Sequence, residues 1–178
     1  MTCIVAISNG KEVWMGGDSA GVEGWNMTIR TDPKVFIRGE FTIGFTTSFR
    51  MGQLLRFGLN VSPRPEGMDA YEYMVTYFVP AARQCLKDGG FAKKESEQEE
   101  GGTFIVGYRG QIYFIDSDYQ VGQAAENFYA VGCGASYALG ALNVTADKPE
   151  KERIRISLET AARFSAGVRA PFVIVGAQ

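Results

Sequence analysis

TCIVAISNGKEVWMGGDSAG, residues 2–21, decides the reading of this chain. Thr2 to Ser8 is an apolar run of strand type, and Asn9-Gly10 is a strong two-residue hairpin signal. Glu12 to Gly17 returns as a second strand, and Gly16-Gly17 lets the backbone turn so that Asp18 leaves the strand end. A hairpin brings its two outer ends together, which predicts that Thr2 and Asp18 are neighbours in space. Strand alternation sends Cys3 to the face opposite Thr2, where a small buried apolar role suits it.

The chain contains no histidine. A hydroxyl nucleophile needs a proton acceptor, and imidazole is the usual one, so Ser-His-Asp and Cys-His catalysts are excluded. A free α-amino group, with a reference pKa of about 7.7–8.0, is a remaining base near neutral pH. Removal of Met1 would give Thr2 that amine on the same residue as its hydroxyl. Lys34 lies sixteen residues beyond Asp18, which itself lies sixteen beyond Thr2. A lysine there lowers the pKa of the nucleophile by its charge, and a buried ammonium needs a partner. Asp18 is the expected partner; Asp32 is the alternative. Taken singly, Asp18 is a turn residue and Lys34 a solvated strand end.

Downstream, a glycine-containing loop from Gly21 to Asn26 leads to a strand near Met27 to Thr31. Strands follow over Val35–Arg38 and Phe41–Thr46 around Gly39-Glu40. A helix through Met51, Leu54 and Leu55 has Ser48 as its N-cap. Asp69 caps a second helix over Ala70–Lys87, in which Pro80 predicts a kink or a late start. The charged segment Gly89 to Gly102 reads as an exposed, mobile loop. Thr103–Tyr108 and Gln111–Ile115 form a hairpin, and Asp116, Ser117 and Asp118 read by default as a turn, with a metal-binding site or part of a neighbouring subunit's pocket as alternatives. Phe128–Val131 is a short strand, Ala135–Leu142 and Pro149–Phe164 are helices, and Phe172–Val175 closes as a strand. Trp14, Trp25, Tyr71, Tyr73 and Tyr77 are assigned to core and subunit contacts. Runs of strands followed by runs of helices give an α+β class, with two antiparallel sheets stacked between helical layers.

At 178 residues one domain is expected over 1–178, and 22 glycines favour tight turns over a helical bundle. A net charge of −2 gives no reason to expect nucleic acid or an anionic membrane as partner. Cys3, Cys85 and Cys133 are scattered without metal-binding spacing, which suggests a reducing compartment. With no signal peptide and no membrane-length apolar run, a cytoplasmic location is the expectation.

The stretch 2–21, with DPKVFIRG at 32–39 and FTIGFTTS at 41–48, resembles the opening of proteasome β subunits and of the bacterial peptidase subunit HslV. The similarity continues through GTFIVGYRGQIYFID, AVGCGASYALGAL and ETAARFSAG, nearly the whole chain. The resemblance implies an N-terminal nucleophile hydrolase with an αββα sandwich, cleaving peptides inside a homo-oligomeric ring or stacked rings. It implies no cofactor and allows a separate ATPase unfoldase. It makes Thr2 the nucleophile, Lys34 the cation that activates it, Asp18 the partner that orients Lys34, and the Thr47 N–H the oxyanion donor. Ser48, Ala135 and Ser136 fall at its substrate side. This chain departs from the pattern at three places. Thr47 stands at a usual glycine, where its side chain would crowd the pocket for the residue before the scissile bond. Ala135 stands at a usual serine, with Cys133 or Ser136 as the alternative polar group. The family's second Asp and Ser have no clear match in residues 163–168, where Ser165 is the best candidate or a helix-terminal residue, in a segment whose backbone carbonyls hold a cation in some relatives. A catalytically silent ring subunit and a hydrolase of a small amide are the rival readings.

Overall fold

The computed structural model describes residues 1–91, 93–95 and 98–176. The opening hairpin forms as the sequence predicts: β1 (Cys3–Ser8) pairs antiparallel with β2 (Val13–Gly17), Ile4 opposite Gly17 and Ser8 opposite Val13. These strands are the middle of a four-stranded antiparallel sheet, with β12 (Phe128–Gly132) outside β1 and β13 (Val173–Gly176) outside β2. Both β1 faces are buried, because successive side chains alternate between two different cores. Cys3, Val5 and Ile7 meet Ala138 and Leu142 of α4 (Ala135–Val144), and Ile154, Leu158 and Ala161 of α5 (Glu150–Phe164).

Ile4 and Ala6 point the other way, into a cluster shared with a five-stranded sheet. That sheet is antiparallel, in the order β11 (Val121–Gln123), β10 (Gln111–Ile115), β9 (Phe104–Tyr108), β6 (Phe41–Phe45) and β5 (Val35–Arg38). Val35, Ile105 and Ile112 of this sheet pack against Val13, Met15 and Val131 of the first. Close approach is permitted at Gly44, where an added Cβ would lie 2.5 Å from both Ile4 Cγ2 and Met15 Sδ. The outer face of the five-stranded sheet is aromatic: the Phe41 ring sits 5.0 Å from Tyr108 and 4.9 Å from Phe78. It is covered by α1 (Phe49–Phe57) and by the helical run from Ala70 to Asp88.

That run answers the question posed by Pro80. α2 (Ala70–Tyr73) passes through a π turn (Met74–Phe78) into α3 (Val79–Asp88), whose first turn contains Pro80. Proline lacks the N–H that would continue the α ladder, and the wider turn just before it absorbs the mismatch. The N-caps form as read from sequence: Ser48 Oγ accepts from Arg50 N at 3.1 Å, and Asp69 accepts from Tyr71 N at 2.8 Å.

Three expectations change. The loop at 21–26 is instead part of a hairpin, β3 (Ala20–Glu23) with β4 (Asn26–Ile29), carrying a fully exposed Trp25 at its turn. Trp25 is therefore no core residue. Within Gly89–Gly102, β7 (Lys93–Glu95) and β8 (Gln98–Glu100) pair as a short ladder. The expected mobility and side-chain exposure of the charged stretch fall on residues 92–99, outside the described side chains. The antiparallel sheets and the runs of strands followed by runs of helices keep the α+β class intact, and no described helix is long and apolar enough to cross a membrane.

Gly44→Val places a branched side chain between the sheets and should cost about 1–3 kcal/mol, read as a lowered denaturant midpoint at unchanged slope. A stability equal to that of the parent would show that the sheets are not in close contact at Gly44.

Candidate active site

The start of β1, the end of β2 and the start of β5 meet at one end of the two sheets, and each contributes one polar side chain. Lys34 Nζ lies 3.0 Å from Thr2 Oγ1 and 2.9 Å from Asp18 Oδ1. Lys34 and Asp18 are each 1% exposed, and Thr2 5%. Burial holds the Lys34 pKa below its ordinary value, outweighing the opposite pull of the Asp18 charge and hydrogen bond. Asp18 is held by four donors. Oδ1 also accepts from Cys3 N at 3.0 Å, and Oδ2 from Ala20 N at 2.9 Å and Arg169 N at 3.4 Å. Asp32 is not the partner of Lys34: it forms a two-pronged pair with Arg30, at 2.7 and 2.8 Å, in the connection that precedes β5.

Thr2 is also held along its backbone. Its carbonyl accepts from Gly134 N at 3.3 Å, and Gly132, at φ 97°, makes room for it. A Cβ at Gly132 would lie 2.2 Å from that oxygen, so no other residue fits without movement. The Thr2 nitrogen, here a peptide N–H, stands where an α-amine would be once Met1 is removed. It points at Cys133 Sγ at 3.3 Å, and Cys133 Sγ lies 3.3 Å from Ser165 Oγ. Of the two candidates left open by sequence, Cys133 rather than Ser136 is thus the group beside the nitrogen. The Thr2 hydroxyl donates to the Met1 carbonyl in the uncleaved chain.

A cavity of about 60 Å³ opens beside Lys34, lined by Met1, Thr2, Val22, Lys34, Phe45 and the Thr46–Phe49 turn. Thr47 and Ser48 therefore share one wall with Thr2. Ala135 and Ser136 are absent from that lining: they start α4, with Ala135 packed toward the helix-side core and Ser136 exposed. Val22 and Phe49 line the cavity without any signal in the sequence that marks them.

Thr47 adopts φ 51°, a left-handed conformation that costs a β-branched residue on the order of 1–2 kcal/mol. Its Oγ1 accepts from Thr103 N at 3.1 Å and contacts Thr46 Oγ1 at 3.3 Å. The hydroxyl is thereby tied to the neighbouring strand while the side chain still forms cavity wall. Among the described residues no group accepts the Thr47 N–H. Strained backbone of this kind clusters at sites where a main-chain group must be aimed.

The segment around Ser165, where the sequence left open whether carbonyls hold a cation, does not fit a metal ion. Ala162, Ser165 and Val168 carbonyls all accept from one nitrogen, Arg169 Nη1, at 3.1, 3.3 and 2.7 Å. A metal at those oxygens would face a guanidinium. Among the described residues there is also no cluster of acidic or sulfur ligands suited to a metal.

The three thiols differ sharply. Burial, reinforced by Asp18, pushes Cys3 up to about 12, whereas Cys133 is exposed. Burial also raises the half-buried Cys85. Brief alkylation of the native protein at mildly alkaline pH should modify Cys133 and leave Cys3 untouched, as read by peptide mass spectrometry. Equal labelling of both would mean that β1 is not locked between its two cores.

No family model matches the sequence, and no curated protein matches it. Solved structures do match over nearly the whole chain. BPH from Thiobacillus denitrificans superposes with a TM-score of 0.79 at 17% identity, covering 99% of this chain and 98% of that one. A second structure of the same protein, with a TM-score of 0.77 at 18% identity and with 99% and 98% coverage, is in complex with epoxomicin. HslV from Trypanosoma brucei superposes with a TM-score of 0.68 at 17% identity, covering 98% of both chains. The fold is shared with these proteins.

Proposed function

We propose that residues 1–178 form a single four-layer αββα unit of the proteasome β-subunit and HslV kind, a threonine-type N-terminal nucleophile hydrolase that cleaves peptide bonds. The observation that carries this reading is the position of Lys34 Nζ, buried between Thr2 Oγ1 at 3.0 Å and Asp18 Oδ1 at 2.9 Å. An ammonium ion buried against a hydroxyl stabilises the alkoxide form of that hydroxyl. The layered cores described above and the shared fold of HslV and BPH support the same reading.

Cleavage of the Met1–Thr2 bond frees both functional groups of Thr2. Its nitrogen becomes an amine, and its hydroxyl loses the Met1 carbonyl as acceptor. Thr2 Oγ1 then attacks the substrate carbonyl carbon, and its proton passes to the Thr2 amine, directly or through a water. Lys34 stabilises the negative charge that develops on Oγ1 during the attack. The Thr47 N–H, on the wall shared with Ser48, donates to the tetrahedral oxyanion, a role that needs only a backbone donor. Collapse expels the leaving amine, which takes the proton from Thr2 N, and water releases the acyl group by the reverse proton path. Cys133 Sγ, beside the same nitrogen, orients the amine, with Ser165 behind it.

Peptides or unfolded protein are the proposed substrate, with a separate ATPase unfoldase as the partner that would supply the latter. Assembly into a ring is supported by apolar surface that the single chain leaves wet. Trp25, Met27 and Ile29 project from the β3–β4 hairpin, and Val144 and Phe164 stand on the outer helices.

Intact mass and a threonine-directed epoxyketone test the proposal together. Loss of one methionine and a stoichiometric adduct on Thr2 are expected; a chain that keeps Met1 and forms no adduct would be a silent subunit. Thr2→Ala should abolish hydrolysis of a fluorogenic peptide, and Lys34→Ala should lower kcat/KM by on the order of 100-fold or more. A Lys34→Ala variant with the parent rate would remove the role given to Lys34.

The pH profile supplies a separate check. The rate should rise as the Thr2 amine loses its proton, then fall as Lys34 loses its own. Because burial depresses the lysine, the alkaline limb should lie below the ordinary lysine value of 10.5. A plateau extending past that value would show that the Lys34 charge is not needed.

A further inference from the structure

Arg169 emerges from the turn that follows α5, and its contacts run to both sides of Thr2. Its Nη1 sits among the carbonyls of Ala162, Ser165 and Val168, at 3.1, 3.3 and 2.7 Å. These residues are spaced by three, so the end of α5 and the turn after it wind three oxygens around one point. Two of the three belong to the helix C-terminal region, where unpaired carbonyls and the helix dipole concentrate negative potential. The guanidinium brings a positive charge to that point. Among the described residues no carboxylate pairs with it, so its charge is met by carbonyl dipoles alone.

The main chain of the same residue does the second half of the work. Arg169 N–H points at Asp18 Oδ2 at 3.4 Å, and Arg169 C=O accepts from Ser19 N at 2.9 Å. Asp18 in turn holds Lys34. On the other side, Ser165, whose carbonyl Arg169 binds, places its hydroxyl 3.3 Å from Cys133 Sγ, the group beside the Thr2 nitrogen. One side chain thus fixes the turn through which both the lysine branch and the amine branch are anchored.

We infer that Arg169 is a built-in cation that replaces a bound metal ion at this turn and positions Asp18 and Cys133 around Thr2. Arg169 touches no reacting atom; it is a positioning residue. The inference rests on the hydrolase reading given above for its kinetic consequences, while its structural consequence at Cys133 is independent of any activity.

Arg169→Ala and Arg169→Lys, made in the full chain, test it with two readouts. In the first, peptide hydrolysis by the parent protein should be unchanged by a chelator and by added magnesium, calcium or potassium. Arg169→Ala should lose about 10- to 100-fold in kcat with little change in KM, as expected when reacting groups are displaced rather than removed. Guanidinium ion, at concentrations far below those that unfold the protein, should restore part of that loss. Arg169→Lys, which keeps the charge but lacks the fork, should fall between the two. In the second readout, the rate of maleimide labelling at Cys133 should change several-fold in Arg169→Ala and return toward the parent rate with guanidinium. That measurement needs no hydrolysis, so an inactive parent protein would count against the hydrolase reading while leaving the role of Arg169 to be decided by the labelling.

The inference is overturned by inhibition of the parent on chelation, or by an Arg169→Ala protein with the parent's kcat and Cys133 labelling rate. A folded Arg169→Ala protein that guanidinium does not restore in either readout also overturns it. If Arg169→Ala does not fold, the same comparisons are read on Arg169→Lys, where parent-like values in both readouts overturn it.

Discussion

A lysine and an aspartate, both almost wholly removed from water, lie 2.9 Å apart under the first residues of β1. Taking an isolated ammonium out of water costs several kcal/mol, so this pair survives because each partner is hydrogen-bonded. Asp18 spends its remaining lone pairs on backbone N–H groups from Cys3, Ala20 and Arg169. Lys34 turns a second hydrogen bond to the hydroxyl of Thr2. The rest of the architecture serves that arrangement. The β1–β2 hairpin sets where Thr2 and Asp18 stand, and β5 brings Lys34 up from the facing sheet. The apolar seam around Ile4, Met15 and Val35 keeps the two sheets in register beneath it.

The same requirement explains why the site is built from segments distant in sequence. A buried ion pair has little tolerance for drift, since losing one partner leaves an uncompensated charge in a dry environment. β12 and the Gly132–Gly134 turn seat the Thr2 carbonyl, and the turn after α5 seats Asp18. At the site, strain is accepted at Thr47, whose left-handed backbone is fixed by the Thr103 amide. Among the described residues the sheet and helix cores are free of comparable non-glycine outliers, Arg109 and Tyr119 being in turns.

Much of this was legible in the residues, for a local reason. Hairpin signals act over short range, so Asn9-Gly10 told where β1 ends and placed Asp18 beside Thr2 without any knowledge of the rest of the chain. The absence of histidine narrowed the choice of base, and the α+β class followed from the order of strand and helix patterns. What escaped was set by packing between distant parts. The β3–β4 hairpin carries a mixed pattern, with exposed Met27 and Ile29, that does not alternate as a half-buried strand does. The π turn before Pro80 depends on how the helix lies across the sheet. Cys133 was one of two options because a one-residue shift in the Gly132–Ser136 turn exchanges the candidates, and only the register of β12 against β1 resolves it. Arg169 carried no signal, since three backbone carbonyls converging on one nitrogen leave no trace in residue type.

The contact between the Thr2 hydroxyl and the Met1 carbonyl has a practical side. Under the proposed hydrolase reading, a chain that keeps Met1 holds its nucleophile against the Met1 carbonyl and would be latent. A purification tag fused ahead of Thr2 would prolong that latency, so recombinant material meant for assay belongs with its tag on the opposite end.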